Sequence, residues 1–331
     1  MRRRDFITGI VGSAAAWPLG THAQQPNDMR RIGVLMGYRE SASEGQTFIA
    51  AFRDWLHKLG WREGYNTLID ARWAAPQDAD SMQRFAKELV GLQPDVILSH
   101  STPTTTALLQ QTRTIPIVFA HVSDPVGSGF VTSFPRPGGN VTGFDVSEPA
   151  QAGKWVELLK DIAPRVTRVG MLYNPISAAY AKFWLTPFKV AAASFAVEAI
   201  EAPVRNKSEL MSVLATQARE TNSGLIAMPD SFLIAHRAEI TSLADYFGVP
   251  AVYPYRFFAE VGGLLSYGID LTDNFRRAAA YVDRILKGDR PSELPVQAPI
   301  KFELVINLRA AKALGLDVPW SLLLRADALV E

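Results

Sequence analysis

The sequence predicts an α/β protein built from two doubly wound lobes, joined by a hinge and facing each other across a cleft. Three observations carry this. From Arg31 onward, short apolar runs with the character of buried strands alternate with amphipathic helical stretches. The alternation breaks near Phe134 and then restarts with the same rhythm. The C-terminal tail beyond the second series holds too few elements for a third domain, so it has to return to the lobes already built.

Arg31 to Met36 is a continuous apolar run closed by Gly37, as expected of a strand buried on both faces. Glu44 to Leu59 places Phe48, Ile49, Phe52, Trp55, Leu56 and Leu59 at helical spacing, with Gly60 just past its end. Thr67 to Trp73 reads as a strand and Asp80 to Leu92 as an amphipathic helix, stopped by Pro94. Strand Asp95 to Ser99, helix Thr104 to Thr112 and strand Ile115 to Ala120 complete the first series. Pro135, Pro137, Gly138 and Gly139 then form a loop before a short extended piece, Asn140 to Phe144.

The second series runs helix Ala150 to Ile162, strand Val166 to Tyr173, helix Ala178 to Ser194, strand Ala196 to Ala202 and helix Lys207 to Thr221. Strand Gly224 to Pro229, helix Ala235 to Phe247 and strand Val249 to Tyr253 come next. In the tail, Gly263 to Tyr267 reads as a strand, Asn274 to Lys287 as a helix, Lys301 to Ile306 as a strand, and Leu308 to Leu314 as a helix capped by Asn307. The expected division is a first lobe of residues 30–146 with about 263–295, and a second of 147–262 with about 296–331.

The N-terminus reads as an export signal. Arg2, Arg3 and Arg4 give a positive start, and an arginine pair followed one residue later by Phe6-Ile7 resembles the twin-arginine motif. An uncharged, Gly/Ala-rich run from Ile7 to Leu19 precedes Thr21-His22-Ala23, whose small residues predict cleavage after Ala23. That run is shorter than the roughly 20 residues a membrane span needs, and the sequence has no cysteine to carry a lipid anchor or a disulfide. Cleavage removes three arginines and Asp5, leaving 31 basic and 32 acidic residues. A net charge near zero argues against nucleic acid or a membrane surface as partner. The expectation is a free periplasmic monomer.

Ligands of open α/β sheets bind beyond the carboxyl ends of the strands, and the residues expected there are rich in hydroxyls and rings. In Ser101-Thr102-Pro103, Thr102 would cap the next helix with Pro103 in its first turn, which is either a bare cap or an anion site. Asp124 and Asp230 are either Asx-turns or cleft carboxylates. Tyr38, Tyr173, Tyr253, Tyr255 and Tyr267 are either core aromatics or the grip on a ligand. His100 and His121 end strands that are candidate neighbours; a metal or acid–base pair lacks a third ligand at helical spacing, so a hydrogen-bonding role is favoured. No Gly-x-Ser-x-Gly elbow, phosphate loop or dinucleotide fingerprint is present, so no enzyme activity and no cofactor are expected, and an exported hydrolase using Asp124 or the histidines is a minor alternative.

Ordered blocks along residues 30–331 resemble the ABC-transporter substrate-binding proteins related to tryptophan/tyrosine-binding lipoproteins. They are Ile115-Pro116-Ile117-Val118-Phe119, Ser123-Asp124-Pro125-Val126-Gly127 and Pro137-Gly138-Gly139-Asn140-Val141-Thr142-Gly143, then Val169 to Asn174, Tyr267 to Asp270 and Ile306 to Leu316. The resemblance implies Rossmann-like lobes of the type I periplasmic-binding-protein kind with three hinge crossings. It also implies one small-molecule ligand between the lobes and delivery to an ABC permease of the inner membrane, with an extracytoplasmic sensor as the alternative. By position it implies cleft residues Tyr38, Ser101, Thr102, Ser123 and Asp124 from one lobe, and Tyr173, Asn174, Asp230, Tyr253 and Tyr255 from the other. Where amino-acid-binding relatives carry acidic residues, this chain has Tyr253-Pro254-Tyr255-Arg256; the carboxylate that would hold a substrate's ammonium is missing there, which implies an aromatic or anionic ligand rather than an amino acid.

Overall fold

A computed structural model describes residues 29–331 apart from Gln77 and Ala179, so the expected export signal lies outside the described residues. The first series forms β1 (Arg30–Met36), α1 (Ser43–Lys58), β2 (Thr67–Trp73), α2 (Ala79–Gly91), β3 (Val96–Ser101), α3 (Thr102–Gln111), β4 (Ile117–Val122) and β5 (Val141–Asp145). Its strands make one parallel sheet in the order β2-β1-β3-β4-β5. The run Ile32–Met36 is buried because helices cover both faces of that sheet.

The second series forms α4 (Gln151–Ile162), β6 (Arg168–Tyr173), α5 (Ala181–Ser194), β7 (Glu198–Pro203), α6 (Lys207–Arg219), β8 (Ser223–Ala227), α7 (Ser231–Ala235), α8 (Arg237–Tyr246), β9 (Ala251–Tyr253) and α9 (Arg256–Glu260). The tail supplies β10 (Leu265–Ile269), α10 (Leu271–Leu286), β11 (Phe302–Asn307), α11 (Leu308–Ala313), α12 (Trp320–Leu323) and β12 (Ala328–Val330). The second sheet runs β12-β11-β10-β9-β8-β6-β7, parallel except where β10 meets β11.

One expectation is corrected. The strand near 263–267 does not complete the first lobe: β10 aligns Leu265 with Val252 and Ser266 with Tyr253 in the second sheet. The first sheet offers it no edge beside β5, where residues 294–297 already lie. Thr142 Oγ1 donates to the Leu294 carbonyl (2.6 Å), and the Asp145 amide donates to the Gln297 carbonyl (2.9 Å). What returns to the first lobe is α10, whose Phe275, Ala278, Ala279 and Val282 pack with Ile49 and Phe52 of α1. Two short helices, α7 and α9, and the terminal α12 and β12 carry no periodic signal long enough to read from sequence.

The chain crosses between the lobes three times: after β5, between β10 and α10, and between Gln297 and β11. The crossings are bound to one another. The Gln297 amide donates to the Gly143 carbonyl (2.9 Å). The Asp270 amide donates to the Lys301 carbonyl (3.0 Å), and Lys301 Nζ lies 2.8 Å from Asp270 Oδ2. Asp270 also caps α10, its Oδ1 accepting from the amides of Thr272 (3.0 Å) and Asp273 (3.2 Å). Burial raises the Asp270 pKa, but the Lys301 ammonium and these N–H groups outweigh it and hold the carboxyl below its ordinary value. Replacing Asp270 by alanine removes cap and tie together. We expect a loss of about 1–2 kcal/mol in urea unfolding, with an unchanged dependence on denaturant.

Candidate functional site: the cleft between the lobes

The carboxyl ends of β1, β3 and β4 face those of β6, β8 and β9 across a cavity of about 850 Å³. Gly37 and Tyr38 follow β1; His100 and Ser101 end β3, with Thr102 opening α3; His121 ends β4 ahead of Ser123 and Asp124. The opposite wall holds Ile176, Ser177 and Tyr180, then Asp230, Ser231 and Ile234, then Tyr255 and Phe257. The volume lies in the usual range for small-molecule sites, and aromatic and aliphatic surface dominates with hydroxyls between.

The start of α3 is held by short-range bonds. Ser101, not Thr102, is the residue preceding the helix, and Pro103 occupies the first turn. The Ser101 amide donates to Thr104 Oγ1 (2.8 Å). Thr102 Oγ1 accepts from the Ser123 amide (3.2 Å), which fixes the loop after β4 against the helix start. Asp124 takes a left-handed backbone conformation (φ 49°). Its Oδ1 accepts from the Gly127 amide (2.8 Å), and its own amide donates to Ser147 Oγ (3.2 Å). A side chain at Gly127 would stand 2.0 Å from Asp124 Oδ2. Asp124 therefore holds its own turn, through the amide three residues on, and lines the cavity as well.

On the opposite wall Asp230 is the organising group. It is 1% exposed, caps α7 through the Leu233 amide (2.8 Å), and accepts from the Asn174 amide (2.9 Å) and Ser177 Oγ (3.2 Å). Burial pushes its pKa up to about 6 against the opposing pull of those donors. Tyr180 lies beside it, donating to the Pro229 carbonyl (2.7 Å).

Of the residues expected in the cleft, Tyr38, Ser101, Thr102, Ser123, Asp124, Asp230 and Tyr255 line the cavity. Three do not, and their placement is corrected. Tyr173 points out of the cleft toward the outer surface of its lobe, where its hydroxyl donates to Glu201 (3.1 Å). Tyr253 is 1% exposed and stacks on Phe258 inside the core, with ring centroids 5.1 Å apart. Asn174 is buried, and its Oδ1 shapes the loop by accepting from the amides of Ile176 (2.8 Å) and Ser177 (3.1 Å). Successive strand side chains face opposite sides, so a tyrosine at a strand end is as easily turned away from a cleft as into it.

Sequence reasoning missed the rim. Glu44 in the first turn of α1 pairs across the cleft with Arg237 of α8, and the Arg237 guanidinium sits over the Phe257 ring, 5.3 Å from its centre. Both residues lie on helices rather than strand ends, and opposite charges 193 positions apart leave no pattern in the sequence.

Three more buried titratable groups lie at or beside the cleft. Asp145, at the end of β5 where the chain leaves the first lobe, is 4% exposed, and its Oδ1 has no hydrogen-bond partner among the described residues. Burial pushes its carboxyl up to about 7. His100 and His121 move the other way: burial lowers both, His121 to about 4. No group of three or more potential metal ligands exists among the described residues.

Known proteins share this architecture. The family model for the ABC transporter substrate binding protein matches residues 45–330. The tyrosine-binding protein of Clostridioides difficile (strain R20291) is 27% identical over 324 residues, covering 94% of this chain and 91% of that protein. The ABC domain from Streptococcus pneumoniae in complex with L-Trp superposes with a TM-score of 0.81 at 26% identity, covering 91% of this chain and all of that one. A conserved domain protein from Vibrio cholerae gives a TM-score of 0.80 at 30% identity, covering 91% and 99%. The chain belongs to the ABC transporter substrate-binding protein family, and its fold is that of the type I periplasmic binding proteins.

The Asp145 carboxyl titrates higher in the folded protein than in the unfolded chain, where it is near 3.8. Its contribution is complete below pH 3.8 and is lost as pH rises through 7. Asp145→Asn should therefore gain stability relative to the wild type between about pH 4 and pH 8, as read from paired urea titrations; a pH-independent difference contradicts the assignment.

Proposed function

We propose that this family member is the solute-receiving component of an ABC importer, exported to the periplasm, and that it holds one aromatic ligand between its lobes. The observation that carries the reading is the cavity itself: a space walled by both lobes, with Tyr38 and Tyr255 facing in from opposite sides and hydroxyls at the start of α3. The relatives support the aromatic character, since one is a tyrosine-binding protein and another holds L-Trp. On this reading the ring lies between Tyr38 and Tyr255, and an acidic end lies toward Thr102 and Ser123, where first-turn N–H groups and the helix dipole favour an anion. Asp124 and Asp230 hold the two walls in shape and face the polar end of the ligand. The permease would recognise the closed form, which the ligand favours by binding it more tightly than the open form.

Two measurements test this. L-Tyrosine or L-tryptophan at about 100 times its Kd should stabilise the mature chain by about 2.7 kcal/mol, and calorimetry should give a single site. No shift with either would sink the reading. The Glu44–Arg237 pair joins the lobes at the cleft rim. Arg237→Ala should weaken affinity about fivefold, the value of roughly 1 kcal/mol for a partly exposed ion pair, and should increase the radius of gyration of the ligand-free protein in X-ray scattering.

A further inference from the structure

His100 and His121 form a one-way relay with an open end. His121 Nε2 lies 2.8 Å from the carbonyl oxygen of Leu271, at the first residue of α10. A carbonyl only accepts, so Nε2 carries the proton, and in a neutral ring Nδ1 is then the acceptor. His121 Nδ1 faces His100 Nε2 at 3.3 Å, so His100 Nε2 must carry its ring proton. That leaves His100 Nδ1 with a bare lone pair. This atom is buried and has no hydrogen-bond partner among the described residues, and His100 belongs to the cavity wall.

The surroundings say what kind of group can satisfy it. The His100 ring is flanked by Tyr38 (ring centroids 4.8 Å apart), Phe275 (6.2 Å) and Phe48 (6.5 Å). Its titration is displaced downward by burial and then by His121, with no carboxylate contributing. An ammonium brought there would lose its hydration and find no carboxylate hydrogen-bonded to this ring, and a carboxylate would meet a lone pair. A neutral O–H or N–H donor suffers neither penalty. Gly37 packs directly against this edge of the ring: a Cβ at that position would stand 2.9 Å from His100 Nδ1 and 3.0 Å from Ser101 Oγ. Only glycine lets the chain leaving β1 pass this close to the two polar atoms.

We infer that His100 is a specificity-determining acceptor, whose Nδ1 selects ligands carrying a neutral donor on the ring, a phenol O–H or an indole N–H. The inference rests on the reading of the cleft as an aromatic-ligand site. It also orients the ligand, ring donor toward His100 and acidic end toward Thr102 and Ser123. A site built around a fixed hydrogen bond rejects the analogue that lacks it, because its own buried group is left unpaired.

Calorimetry on the mature chain with four probes decides the matter. L-Phenylalanine should bind at least tenfold more weakly than L-tyrosine, and 1-methyl-L-tryptophan at least tenfold more weakly than L-tryptophan; the two pairs separate the phenol from the indole as the donor. His100→Leu should reduce the tyrosine-to-phenylalanine ratio to within twofold. Should that variant fail to fold, nitrogen-15 spectra of the wild-type histidine rings give a second reading, in which His100 must be protonated on Nε2 and its Nδ1 resonance must move on addition of L-tyrosine. Binding of all four probes within threefold, or a His100 ring protonated on Nδ1, overturns the inference and leaves the aromatic site standing. Failure of all four to bind removes both.

Discussion

Everything in this molecule depends on three chain crossings being bound side by side. The amide of Asp145, the carbonyl of Gln297 and the carbonyl of Gly143 knit the first crossing to the third. Asp270 and Lys301 knit the second to the third through backbone and side chain alike. Separate linkers would let the lobes twist and slide independently. Bound together, they form one joint that holds the two walls in a single register, which a binding site divided between two lobes requires.

The walls are coupled to this joint. The Asp124 amide reaches Ser147, two residues beyond Asp145, and the His121 ring reaches the carbonyl at the start of α10, next to Asp270. Residues that front the ligand space therefore hold residues at the hinge. The buried Asp145 adds a group whose charge is unwelcome where it sits, so the hinge carries an electrostatic cost that grows as the carboxyl ionises.

The two-lobed fold was legible because buried strands and amphipathic helices each leave a period in the sequence. The boundaries of β1, β2 and α4 fall within a residue of where the pattern puts them. The placement of β10 was not legible. A short apolar strand carries no label saying which of two sheets it joins, and residues 294–297 take the edge beside β5 while β10 pairs with β9. The site divides in the same way. Residues at strand ends, such as Ser101, Thr102 and Ser123, could be nominated from topology alone. Tyr173 and Tyr253 could not be told from Tyr38 and Tyr255, because a strand end fixes position and not the direction of the side chain. The rim pair Glu44–Arg237 and the relay from His100 to Leu271 are tertiary contacts between distant segments, which only the assembled lobes reveal.

The return of α10 also governs the order in which the protein can be made. The first lobe has a hydrophobic face at Ile49 and Phe52 that is covered in the finished molecule by Phe275 of α10, and it stays open until α10 is synthesised. Its sheet edge at Thr142 waits longer still, for Leu294. A nascent chain carrying all of β1 to β5 is thus not yet a folded lobe, although it comes first from the ribosome. Completion of both lobes therefore waits for the C-terminal part of the chain, which supplies α10 to one lobe and β10 to β12 to the other.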